Sequence, residues 1–317
     1  MKKLILTPLA WLYAASGFLH RNIWLKPALQ DRHHPLPMIV VGSLRAGGAG
    51  KTPVVQALAK HLSTRGLKVG ILCYWLNKYN SDKWMEVTSR SNWQDCSDEA
   101  VLLARNTNCR VFVTRNRERA WDELNRLNQF DLLLSDDGLM DSRLKGAFRM
   151  ILRMPGESPG ISDLLPAGPY HLTAKILDEM DCVVEGPAPG AECGEFGFRR
   201  ELIFPEGFDP LKSWWILCGL GNPDMFRTDL IRSGVRIAGM SRGPNHGVPD
   251  LKRAFSEAAR ASAGGFLCTA KDAIKLEVHA GEIESKFGVM VVVQEHIELG
   301  TGLIRTVERY LHLPPSS

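Results

Sequence analysis

The stretch Pro35-Leu-Pro-Met-Ile-Val-Val-Gly-Ser-Leu-Arg-Ala-Gly-Gly-Ala-Gly-Lys-Thr-Pro53 leaves few folds open to this chain. It reads as a buried strand from Met38 to Gly42, a glycine-rich loop, and a helix opened by Lys51 and Thr52. Glycines let backbone N–H groups converge on phosphate oxygens, and a helix N-terminus adds partial positive charge. In such a phosphate loop the candidate binding residues are Gly47, Gly48, Ala49, Gly50, Lys51, Thr52 and Pro53. Lys51 reaches the β- and γ-phosphates, and the Thr52 hydroxyl takes Mg²⁺. The apolar positions Val54, Val55, Leu58 and Leu62 give the following helix one buried face, and Gly66 stands where it should stop. Arg45 occupies the place where the general pattern has its first loop glycine.

Strand-like and helix-like runs alternate along the chain. Strands are predicted at 38–42, 68–73, 110–114, 131–135 and 148–152, with helices at 52–65, 97–105 and 118–128. Alternation of this kind predicts an α/β fold of the phosphate-loop NTPase type, a mostly parallel sheet with helices on both faces. Residues 187–205 lack periodicity and read as a connection. A second α/β series follows, with strands at 214–218, 235–238, 265–268 and 289–294, and it ends in a helix near 302–312. The expected domains are an N-terminal membrane-associating helix (1–30), a phosphate-loop domain (31–200) and a smaller C-terminal α/β lobe (201–317).

The run Asp131-Leu-Leu-Leu-Ser-Asp-Asp-Gly138 delivers two carboxylates at the end of an apolar strand. Ligands of open parallel sheets bind at that edge. Asp136 and Asp137, with Thr52, are therefore the candidate Mg²⁺ ligands. The competing reading is a solvated turn, since Asp-Asp-Gly is good turn chemistry.

Residues 4–19 carry no charge, with Lys2 and Lys3 before them and His20, Arg21 and Lys26 after. The run is short for a membrane span. A signal peptide is discounted because a loop that uses ATP belongs in the cytosol. Two readings stay open: a helix packed on the domain, and a helix in the membrane interface with Trp11, Tyr13, Phe18 and Trp24 at headgroup level. The seven cysteines form no CxxC pair, so no zinc or disulfide framework is read, and a reducing compartment fits. A formal net charge of +4 gives no support to a nucleic-acid partner.

Seven motifs in order resemble the tetraacyldisaccharide 4′-kinases, the lipid A 4′-kinases. They are the loop from Val41 to Pro53, Ser97-Asp-Glu99, Asp136-Asp-Gly138, Leu164-Leu-Pro-Ala-Gly-Pro169, Gly219-Leu-Gly-Asn-Pro223, Pro244-Asn-His246 and Cys268-Thr-Ala-Lys-Asp-Ala-Ile-Lys-Leu276. The resemblance implies transfer of the ATP γ-phosphate to the 4′-hydroxyl of an acylated glucosamine disaccharide at the cytoplasmic face of the inner membrane. It also implies a general base, Asp98, paired with His246, and Arg117 as a residue matching the family pattern. A carboxylate within reach of a sugar hydroxyl can take its proton as the oxygen attacks phosphorus. Arg117, Asn222 and Lys271 are the candidate substrate contacts, with ATP and Mg²⁺ as cofactors. Lys271 and Asp272 are read at a strand end in the second lobe.

The sequence departs from the family at several polar positions. The usual Ser-Arg-Gly-Tyr-Gly is Cys73-Tyr-Trp-Leu-Asn77, and Asp-Asp-Gly-Phe-Gln-His becomes Asp136-Asp-Gly-Leu-Met-Asp141. The usual Leu-Arg-Glu-Pro is Tyr170-His-Leu-Thr173, and the residue before His246 is Asn245 instead of Asp. An arginine fork is not replaced by tyrosine or histidine without loss of bidentate geometry and fixed charge. Two other classes stand beside the kinase: a catalytically weak paralogue that binds nucleotide or lipid as a regulator or scaffold, favoured by the lost acceptor-side residues, and a soluble phosphate-loop ATPase or small-molecule kinase. A kinase for a different sugar-lipid acceptor is the variant of the first reading.

Overall fold

The structure, a computed structural model, describes residues 2–19, 34–75, 83–141, 143–187, 193–244 and 247–315. In chain order the elements are α1 (Lys2–Leu19), β1 (Met38–Ser43), α2 (Lys51–Thr64), β2 (Val69–Tyr74), β3 (Met85–Val87), α3 (Trp93–Cys96), α4 (Asp98–Asn106), β4 (Arg110–Thr114) and α5 (Arg117–Leu127). Then come β5 (Leu132–Asp136), β6 (Phe148–Arg153), β7 (Cys182–Glu185), β8 (Phe198–Ile203), β9 (Trp214–Cys218), α6 (Pro223–Arg232) and β10 (Ile237–Arg242). The last are α7 (Leu251–Arg260), β11 (Gly265–Thr269), α8 (Ala270–Leu276), α9 (Ala280–Phe287), β12 (Met290–Leu299) and α10 (Thr301–Tyr310).

The chain forms two compact units. The first comprises Met1–Val87, Thr107–Arg199 and Glu298–Ser317, and the second Thr88–Asn106 and Arg200–Ile297. This differs from a division by sequence order at residues 30 and 200. The segment carrying Asp98 belongs with the second unit, and the C-terminal helix α10 belongs with the first.

The first unit is built on a seven-stranded sheet of order β3-β4-β2-β5-β1-β6-β7. All pairings are parallel except the edge pair β3–β4. Parallel strands covered on both faces read as continuous apolar runs. Met38, Ile39, Val40 and Val41 of β1 and Leu132, Leu133 and Leu134 of β5 are all buried, as that rule requires. α2 buries Val54, Val55, Leu58 and Leu62 and stops where Gly66 takes a φ of 84°. α10 is fixed to this unit by buried Glu308, which meets His61 at 3.3 Å and Arg65 at 3.0 Å.

The second unit holds a five-stranded sheet of order β10-β9-β11-β12-β8. Side chains of β9 alternate between its faces, as a strand demands. Trp214, Ile216 and Cys218 pack with Phe226 and Leu230, while Trp215 and Leu217 pack with Phe255 and Phe266. β8 lies in the stretch expected to be a mere connection. Its run of Arg199, Arg200 and Glu201 hides the alternation, and tertiary partners hold it: Arg199 pairs with Glu298 at 2.7 Å, and Arg200 pairs with Asp229. The strand expected at 235–238 begins two residues later and runs to Arg242.

In α1, Ala10 is buried while Leu9, Trp11, Leu12 and Tyr13 are exposed. The helix packs against the short turn Ile161–Asp163 of the same unit. It therefore packs on the domain along one side and leaves an apolar, aromatic side uncovered by the described residues. Among those residues no helix is long and apolar enough to cross a membrane. Phe18 and Trp24, expected at headgroup level, have side chains outside the described set.

Candidate active site

β1 is an interior strand of its sheet, flanked by β5 and β6, and its register sets Val41 opposite Asp136. The loop that leaves β1 and the two carboxylates that leave β5 therefore emerge side by side at the carboxyl edge. Gly47, Gly48 and Gly50 take φ values of 107°, 70° and 81°, a region that costs an L side chain strain but not glycine. Gly50 is the N-cap of α2, so the first-turn N–H groups of Lys51, Thr52 and the residues behind them face the loop. Pro53 has no N–H to donate, and the first helical turn does not ask for one. Ala49 is buried.

The side chains that follow are tied to the carboxylates. Lys51 Nζ lies 2.9 Å from Asp137 Oδ2, and the Thr52 hydroxyl donates to Asp136 Oδ2 at 2.7 Å. Burial pushes the Asp137 carboxyl up, but Lys51, the N–H of Gly138 and Arg117 outweigh it and hold the group below the usual aspartate value. Asp137 also has a φ of 65°, strained for a non-glycine residue, and its N–H donates to the Val41 carbonyl at 2.9 Å. Arg117, expected at the substrate, lies buried beside this pair. Its guanidinium donates to the Asp136 carbonyl at 3.3 Å and stands over the Tyr74 ring at 5.0 Å. Thr52, Asp136 and Asp137 together form a hard-oxygen donor set of the kind Mg²⁺ takes, so the residues fit that ion.

Glu157, Tyr170 and His171, which the sequence did not single out as site residues, brace the loop. Arg45 Nε donates to Glu157 at 2.5 Å, and the Tyr170 hydroxyl donates to the same carboxylate at 3.0 Å. His171 Nε2 donates to the Ser43 carbonyl at 2.7 Å. Only folding brings these segments together, since more than a hundred residues separate Arg45 from Glu157. Burial is the main influence on His171 and lowers its pKa from 6.5, so the neutral ring is the one that fits here. A depressed imidazole stabilises the fold above its unfolded pKa and loses that contribution as pH falls through the folded value. His171→Gln is accordingly expected to flatten the decline in thermal midpoint below pH 6.5, measured by circular dichroism.

In the second unit, Asp98 opens α4 and is buried, with Oδ1 accepting from the Glu99 N–H at 3.1 Å. Ser97 before it has φ 80° and ψ 149°, a conformation ordinarily left to glycine. Lys271 Nζ is 2.5 Å from Glu99 and 3.8 Å from Asp98. Lys275 Nζ is 3.3 Å from Asp98 and 2.8 Å from Asp272. Lys271 and Asp272, read at a strand end, sit in the first turn of α8, directly after β11. Asn222 caps α6, its side-chain oxygen accepting from the Met225 N–H at 3.3 Å. His246 lies outside the described residues.

The tetraacyldisaccharide-1-P 4′-kinase family profile matches residues 2–312. The chain belongs to this family. A tetraacyldisaccharide 4′-kinase from Thiobacillus denitrificans is 30% identical over 296 residues, 88% of each chain. One from Ectopseudomonas mendocina is 30% identical over 233 residues, 70% of each chain. Among solved structures, the "apo" form of LpxK from Aquifex aeolicus in complex with ATP matches with a TM-score of 0.67. That match covers 98% of this chain and all of the other, at 22% identity, and speaks for the fold. Within the tetraacyldisaccharide 4′-kinase family, the departures of this chain have definite places. Tyr170 and His171 brace the phosphate loop, and Asp141 is bound by Arg143 at 2.8 Å.

Proposed function

We propose that this protein transfers the γ-phosphate of ATP to the 4′-hydroxyl of an acylated glucosamine disaccharide, a lipid A precursor. The observation that carries the reading is the paired contact of Lys51 with Asp137 and Thr52 with Asp136 at the carboxyl edge of the parallel sheet, in a chain of this family. Loop N–H groups and Lys51 stabilise negative charge on the phosphates as the reaction proceeds. Thr52, Asp136 and Asp137 are the residues that would hold Mg²⁺. When bound, that ion neutralises charge on the phosphate oxygens.

Asp98 takes the proton of the 4′-hydroxyl as its oxygen forms the new bond to phosphorus. The bond from the γ-phosphorus to the bridging oxygen breaks, and ADP leaves with the electron pair. His246 is the proposed partner of Asp98, and Lys271 and Asn222 are the proposed acceptor-side contacts. Arg117 acts through the carboxylate pair that it braces, a reading supported by its contact with the Asp136 carbonyl. The exposed side of α1, with Leu9, Trp11, Leu12 and Tyr13, supports docking at the cytoplasmic face of the inner membrane, where acyl chains stay in the bilayer.

The test is incubation of the full chain with Mg²⁺, γ-labelled ATP and tetraacyldisaccharide 1-phosphate, with the labelled lipid separated by chromatography. Label on the lipid is the expected result. A preparation that binds ATP and labels no lipid overturns the reading in favour of a non-catalytic paralogue or another acceptor. With the acceptor held in vesicles, removal of residues 1–24 is expected to abolish labelling that detergent-dispersed acceptor still supports.

A further inference from the structure

The second unit holds a charge cluster whose burial demands a reason. Asp98 is 1% exposed, Asp272 2% and Lys275 1%. Ions taken out of water to this depth carry a heavy desolvation cost, and well-packed apolar residues often serve stability as well or better. A buried cluster of this kind is weak evidence for stability and stronger evidence for a group that must be held in one state.

Its geometry is directional. The Lys275 ammonium lies between two carboxylates, 2.8 Å from Asp272 and 3.3 Å from Asp98. Asp272 is itself fixed: it accepts from the Gly219 N–H at 3.0 Å and from the Thr269 hydroxyl at 2.9 Å. The lysine is thus anchored through Asp272 to β11 and to the loop after β9, and its charge is delivered to Asp98. Two other cations lie on the packed helices. Lys271 lies 3.8 Å from Asp98 but is held closer, at 2.5 Å, by Glu99, and Arg105 turns away to Glu277. The nearby Cys218 thiol, pushed up to about 12 by burial, is neutral.

We propose that Lys275 is a positioning residue whose buried ammonium holds the Asp98 carboxylate ionised and in one orientation for proton abstraction. The inference rests on the reading of Asp98 as the base. Removing the ammonium leaves Asp98 with only the more distant Lys271, 3.8 Å away and already paired with Glu99, which favours its protonated, inactive form. Removing the charge of Asp272 instead frees the ammonium from its nearer carboxylate and leaves it to Asp98, which favours the ionised form.

The experiment is the pH profile of lipid labelling at saturating substrates, on full-length wild type, Lys275→Met, Lys275→Arg, Asp272→Asn and Asp98→Asn. An opposite charge at this distance moves a carboxylate by about 1–3 pH units, so Lys275→Met is expected to shift the acid limb upward by that order. Asp272→Asn is expected to shift it downward, and Lys275→Arg to return it toward wild type. KM for ATP is expected to stay unchanged in all of them. A loss of packing alone would lower the rate without moving the limb in opposite directions. If Lys275→Met does not fold, the downward shift in Asp272→Asn decides the matter. Limbs that superimpose on wild type, with Asp98→Asn inactive, overturn the role of Lys275 and leave the base intact. Wild-type labelling by Asp98→Asn overturns both.

Discussion

Asp98→Asn is expected to lower kcat for lipid phosphorylation by about 10²–10⁴-fold, the usual contribution of a positioned general base. The substitution keeps the shape of the side chain and an oxygen able to accept from the Glu99 N–H. It removes only the capacity to take a proton. It leaves the phosphate loop and the contacts of Lys51 and Thr52 with Asp137 and Asp136 untouched, so KM for ATP is expected to be unaltered. Steady-state kinetics with γ-labelled ATP measures both quantities. An Asp98→Asn variant that turns over within a few-fold of wild type would remove Asp98 from the chemistry.

Lys51→Ala is expected to cut transfer by about 10³-fold, as loss of one preorganised charge at a developing anion does. Here a second effect accompanies the first. Lys51 counters the burial of the Asp137 carboxyl and is the leading influence holding it below the usual aspartate value. Without the ammonium, that carboxyl rises, and the donor set of Thr52, Asp136 and Asp137 weakens toward Mg²⁺. The variant is therefore expected to need more Mg²⁺ for half-maximal rate, and the need should grow as pH falls. A double-mutant cycle with Asp137→Asn measures the coupling, expected at about 0.5–3 kcal/mol for groups in direct contact. Additive effects of the two substitutions would mean that the 2.9 Å contact carries no energy in the functional state.

Much of the first unit was legible because its signals are local. Met38 to Val41 could be read as a buried strand since both faces of a central parallel strand need apolar residues. Gly50, Lys51 and Thr52 could be read as a cradle since a tight left-handed turn, a cation and a hydroxyl in succession serve one purpose. Asp136 and Asp137 followed from an apolar run ending in carboxylates. β8 was not legible, because Arg199 and Arg200 are matched by Glu298 and Asp229 far along the chain. The bracing of the loop by Glu157, Tyr170 and His171 was hidden for the same reason.

The order of motifs determined the family, and the phosphate loop with the carboxylates beside it was readable because it depends on residue type at short spacing. Tertiary structure alone decided which unit each segment joins. It set the segment of Asp98 with α8 although some 170 residues lie between Glu99 and Lys271, and it buried Lys275 between two carboxylates. A lysine in a helix has the same sequence signature whether it faces water or a buried anion. Only the packing of other elements over it removes the water and turns an ordinary charge into one that governs its neighbour.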